Sequence, residues 1–169
     1  MTTTLHASPT NRRRAFDAAP FTASAPLAAT LQDVLVDLLE VHAQTKQAHW
    51  NLVGRGFRSL HLELDEIAAT AREAADEIAE RMRAVGAAPD GRSDTVARTT
   101  TLPEFPAGRI EDIRAATLVL GRLNTVGCVL RAASSATGAE DPATGDLVNT
   151  TLQSVEKHAW MLRDRLAHV

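Results

Sequence analysis

Apolar residues recur along this chain with the 3.6-residue period of amphipathic helices, in four separate stretches. Leu27, Leu31, Leu35, Leu38 and Leu52 form the first stripe, and Asp33, Asp37, Glu40 and Gln44 fill the opposite face. The pattern predicts a helix from about Pro26 to Leu52, broken by Gly54-Arg55-Gly56. A second stripe, Leu60, Leu64, Ile67, Ala71, Ala75, Ile78, Met82 and Val85, predicts a helix over about 58–85 with Gly86 as its C-terminal cap. A connection over about 87–108 follows, punctuated by Pro89, Gly91, Pro103 and Pro106, with a short helix expected at Ser93–Thr99. The third helix is expected over about 109–137. The fourth opens at Asp141-Pro142, a cap followed by proline in the first turn, and runs to about Ala167.

The loops therefore run short, long, short. A long second connection lets two helices lie parallel, so the predicted fold is all-α: a ferritin-like four-helix bundle with one crossover. Composition agrees, since alanine and leucine favour helix, aromatics make up only 4% and there is no tyrosine. The 169 residues suit one domain, expected at 26–169 behind a flexible tail at 1–25 that has no apolar period. No apolar run approaches the roughly 20 residues that cross a bilayer, and the first residues lack a hydrophobic signal core, so a cytoplasmic protein is expected. The lone Cys128 excludes an internal disulfide and is expected as a small buried residue on a helix. A net charge of −3 argues against a protein that coats nucleic acid throughout; the tail's Arg12, Arg13 and Arg14 are the local exception.

Candidate chemistry sits on the second helix. His61 with Asp65, and Asp76 with Glu80, are two i,i+4 pairs, each able to grip one ion. Imidazole and carboxylate together suit iron, manganese or zinc better than calcium or magnesium. With Leu60 at zero on a helical wheel, the apolar stripe stays within about 60° and the four ligands fall between about 100° and 200°. They face away from the bundle's own core. Asp65 and Asp76 are about 16 Å apart along a straight helix, and His61 and Glu80 about 28 Å. One chain cannot close both pairs around one cluster. An antiparallel, twofold-related copy would set Asp76 and Glu80 of one chain beside His61 and Asp65 of the other, and Leu62, Ala68, Ala69 and Ala79 would let the helices approach. Two alternatives remain open at this point. Such a face can simply be solvated, and His49, sharing the first helix's stripe with His42, can be a core histidine.

The stretch Lys46-Gln47-Ala48-His49-Trp50-Asn51, then Phe57, Leu60-His61, Leu64-Asp65-Glu66 and Asp76-Glu77-Ile78-Ala79-Glu80-Arg81 resembles the Dps family of dodecameric mini-ferritins. The resemblance covers the chain from about Leu31 onward. It implies a hollow homododecamer built from twofold dimers that oxidises Fe(II) with hydrogen peroxide, or with dioxygen, and stores the ferric mineral. The family's ferroxidase ligands fall on His49, His61 and Asp65 of one subunit and on Asp76 and Glu80 of its partner, two irons per site, where zinc or manganese can also bind. Trp50 resembles the tryptophan that lies beside the site and intercepts oxidising equivalents; its other reading is an aromatic anchor at the interface. Acidic residues near the start of the fourth helix line the family's iron pores, here Glu140, Asp141 and Asp146, with Asp146 preferred because Asp141 also reads as a cap. Many members bind DNA through basic tails, and Arg12, Arg13 and Arg14 are what this tail offers, which would add the nucleoid to the expected location.

Peroxide that takes two electrons from a pair of irons goes to water without releasing a hydroxyl radical, so protection accompanies storage. Two competing functions use the same residues differently. A dinuclear site with open positions can activate water as a metal-dependent hydrolase, and a DNA-condensing nucleoid protein would need no metal at all.

Overall fold

Ser24 starts the first helix: its hydroxyl accepts from the Leu27 amide at 3.2 Å, and Pro26 occupies an early position where no amide is missed. The computed structural model describes residues 20–167, so most of the expected tail, with Arg12, Arg13 and Arg14, lies outside the described residues. The order of elements is α1 (Ala25–Asn51), β1 (Leu52–Val53), α2 (Phe57–Ala84), α3 (Ser93–Thr99), β2 (Ile110–Glu111), α4 (Asp112–Glu140) and α5 (Pro142–Ala167). The fold is the expected all-α bundle, crossover and short helix included. The residues just before α1 are tied to the C-terminal ends of α2 and α4. Ala23 donates to the Val85 carbonyl at 2.8 Å, and the Ser24 amide and hydroxyl donate to the Glu140 carboxylate at 2.7 and 2.6 Å.

Helix α1 packs on α2, and α4 on α5; the crossover brings α4 against α1 and α5 against α2. The four stripes meet in one core, where Leu31, Leu38, Leu60, Leu64, Ile67, Ile78, Met82, Leu123, Leu130 and Leu162 are fully enclosed. Each such side chain contributes about 1.5–3 kcal/mol relative to exposure. Among the described residues α4 alone is long and apolar enough to span a bilayer, but its Ala115, Val119, Leu123, Val126 and Leu130 belong to this core.

Several local expectations change. Leu52 and Val53 pair in parallel with Ile110 and Glu111, a bridge too short to leave a period in the sequence. Because residues 110–111 join that bridge, α4 starts at Asp112 rather than 109, and it continues to Glu140. Gly138 lies within it, and Gly145 permits the close approach of α5 there, since a Cβ on Gly145 would stand 2.6 Å from Gly138 Cα. Asp37 and Gln44, on the polar face of α1, are buried, because the crossover lies over their side of the helix. Asp37 accepts from the Thr100 hydroxyl and the Thr101 amide, both at 2.8 Å, and from the Thr101 hydroxyl at 2.5 Å. Gln44 donates to the Pro103 carbonyl and accepts from Arg122 Nε, each at 2.9 Å; Arg122 also donates to the Pro103 and Glu104 carbonyls. Cys128 is exposed rather than buried, on the outward side of α4.

Candidate metal centre

Antiparallel packing of α1 on α2 brings His49 and His61 to one level. Their rings stack with centroids 3.7 Å apart, and Phe57 stacks on His61 at 5.0 Å. His49 Nδ1 lies 2.9 Å from the His61 carbonyl, and His61 Nδ1 lies 3.2 Å from the His49 carbonyl. A carbonyl only accepts, so both Nδ1 atoms carry the proton and both Nε2 atoms keep a free lone pair. Imidazoles that ligate metals are held in this way, the second nitrogen donating to a carbonyl or carboxylate. The half-buried pair is therefore already set in the tautomer and orientation that a metal requires.

Asp65, one turn beyond His61, is exposed and pairs with Lys46 Nζ at 2.7 Å. The hydrogen bond from Lys46, and then its charge, hold the Asp65 carboxyl below the usual carboxylate range. Lys46 also stands 5.7 Å from the centre of the Trp50 ring, and Trp50 is 69% exposed. Sequence reasoning gave Lys46 no role, although its place three residues before His49 puts it on the same face of α1.

Asp76 and Glu80 are exposed further along α2. Asp76 edges a cleft with Leu35, Leu39, Arg72, Ala79 and Pro89. Among the described residues, no three His, Cys, Asp or Glu side chains of one chain converge to hold an ion. One chain thus stacks two imidazoles, sets Asp65 one helical turn beyond His61, and carries Asp76 and Glu80 further along α2. Trp50, Phe57 and Leu62, exposed large apolar residues, adjoin the two histidines in sequence or contact.

At the start of α5 the three acidic residues differ. Glu140 is engaged by Ser24, and Asp141 accepts from Arg81 and from the Thr144 hydroxyl, which with Thr144 leading holds its carboxyl below the usual range. Asp141 therefore acts as the cap that its position suggested. Asp146 is exposed.

Residues 28–169 match the family model described as a ferritin-like domain. The chain is 34% identical over 133 residues to DNA protection during starvation protein 2 of Deinococcus radiodurans, covering 79% of this chain but 55% of that protein. It is 31% identical over 153 residues to the DNA protection during starvation protein of Agrobacterium fabrum, covering 89% of this chain and 91% of the relative. The fold also matches Dps from Microbacterium arborescens in its high iron form, with a TM-score of 0.80 and 30% identity over 87% of this chain and 99% of that one. With its bundle and crossover, the chain belongs to the Dps family of the ferritin-like superfamily.

Proposed function

We propose that this protein oxidises Fe(II), with hydrogen peroxide as the preferred oxidant, at dinuclear sites shared between two subunits, and stores the ferric product in a hollow dodecamer. The observation that carries the reading is the stacked His49–His61 pair, with both Nδ1 atoms committed to backbone carbonyls and both Nε2 atoms free. Asp65 adds a carboxylate kept ionised by Lys46. Asp76 and Glu80 of the partner subunit complete the ligand set. Iron enters as substrate, attracted at the threefold pores by Asp146, whose carboxylate is unengaged among the described residues, whereas those of Glu140 and Asp141 are engaged.

The electrons balance simply. Two Fe(II) ions give one electron each to one hydrogen peroxide, the O–O bond breaks, two protons are taken up, and two waters and two Fe(III) result. Three carboxylates offset the added positive charge and favour the ferric state. Lys46 must leave Asp65 as iron arrives. Trp50, beside the site, can give an electron where only one iron is bound. Protection of DNA, which the relatives' names attribute to them, follows here from removing Fe(II) and peroxide together, and contact of Arg12, Arg13 and Arg14 with phosphates would add to it in a salt-sensitive way. A cytoplasmic location belongs to the same reading.

The test is to add Fe(II) anaerobically, then peroxide, while following ferric absorbance and particle size. The reading predicts rapid oxidation and a soluble iron-loaded shell, and loss of the fast phase in Asp76→Ala/Glu80→Ala. A double variant as fast as wild type would refute the site.

A further inference from the structure

His42 repeats the geometry of His49 two helical turns earlier on α1. Its Nδ1 lies 2.8 Å from the Ala68 carbonyl, as His49 Nδ1 lies 2.9 Å from that of His61. The proton is therefore on Nδ1, and Nε2 is an acceptor that looks for a donor. Ala68 itself is enclosed, while His42 is half-buried at the edge of the ligand-bearing face. On the same face stands Arg72, exposed, with no hydrogen bond to its own chain among the described residues.

The shared-site reading, on which this inference rests, fixes what lies opposite His42. Setting Asp65 level with Asp76 of the partner subunit places the twofold axis beside Thr70 and Ala71. Arg72 of the partner subunit then falls level with Ala69, one residue from the carbonyl that holds His42. On the wheel Arg72 lies at about 120°, on the side towards Ala68 at about 80°, whereas Glu73 at about 220° lies on the side far from Ala68. A guanidinium is the donor that a neutral Nε2 can accept from. We propose that His42 Nε2 of each subunit accepts a hydrogen bond from Arg72 of the partner subunit, and that these two clasps flanking the twofold axis set the register that assembles both metal sites.

The experiment measures subunit dissociation of the full chain by sedimentation, for wild type, His42→Gln, Arg72→Gln, Arg72→Lys and the His42→Gln/Arg72→Gln double variant. Each Gln variant should weaken association, the double variant no further than either, and Arg72→Lys should recover part of the loss. Single losses that add would overturn the clasp. The shared site is read separately in a hybrid of chains lacking His61 and Asp65 with chains lacking Asp76 and Glu80. An iron-oxidising hybrid with additive losses sinks the clasp alone; an inactive hybrid sinks the shared site and the clasp with it.

Discussion

Lys46 Nζ lies 2.7 Å from Asp65 Oδ1, so the carboxylate proposed to hold iron is already bound to a cation. The ammonium keeps Asp65 ionised and occupies a position that iron must take. Lys46→Met should therefore bind Fe(II) or Zn(II) severalfold more tightly near neutral pH, because competition is gone; the pair is exposed, so the gain stays modest. Its binding should also fail at a higher pH on acidification, since Asp65 then protonates nearer its ordinary value. Titration calorimetry across pH separates the two effects, and an unchanged acid limb would contradict the role given to Lys46.

The turn between α1 and α2 depends on Gly54. Its φ is +121°, and an added Cβ would lie 2.7 Å from Asp112 Cγ, while the Asp112 carboxylate accepts from the Gly56 amide at 2.5 Å. Gly54→Ala should cost about 1–3 kcal/mol in denaturant unfolding. Removing the obstacle with Asp112→Ala should not restore it, because the backbone strain persists and the Gly56 amide loses its acceptor.

His158 offers a second, independent acid response. It is buried between α5 and α2, with Nε2 3.0 Å from Thr70 Oγ1 and Nδ1 without a partner among the described residues. Burial first, and then the charge of Lys157, push its pKa below the ordinary histidine value. The unfolded chain therefore binds a proton that the folded chain refuses, and stability falls as pH drops below about 6.5. His158→Gln should flatten that part of the curve of melting temperature against pH. A slope unchanged in the variant would assign the acid response elsewhere.

Asp37 and Gln44 mark what the sequence could not convey. Helix positions and the outward-facing ligands follow from periodicity, which is local. Where the crossover lies is not local. Periodicity marks the polar face of α1 but does not show that Thr100, Thr101 and Pro103 cover it. Cys128 was misread for the converse reason, as an apolar residue on a core helix that the bundle leaves on the outside. At the site, the ligand types and spacing were legible, whereas the reciprocal His49–His61 hydrogen bonds and the Lys46–Asp65 pair needed the packing of two helices. Asp37→Ala tests the covered face: it strips the Thr101 amide of its acceptor and should cost about 1–3 kcal/mol in denaturant unfolding.

The central claim is that each metal site takes His49, His61 and Asp65 from one subunit and Asp76 and Glu80 from the next. Two chains test it, one carrying His61→Ala with Asp65→Ala and the other Asp76→Ala with Glu80→Ala, assembled separately and then together. Each alone should lack the fast peroxide-driven oxidation of Fe(II). A mixed dimer should contain one intact site and one doubly broken site, and recover about half the wild-type rate per dimer. Hybrids as inactive as their parents would contradict a shared site.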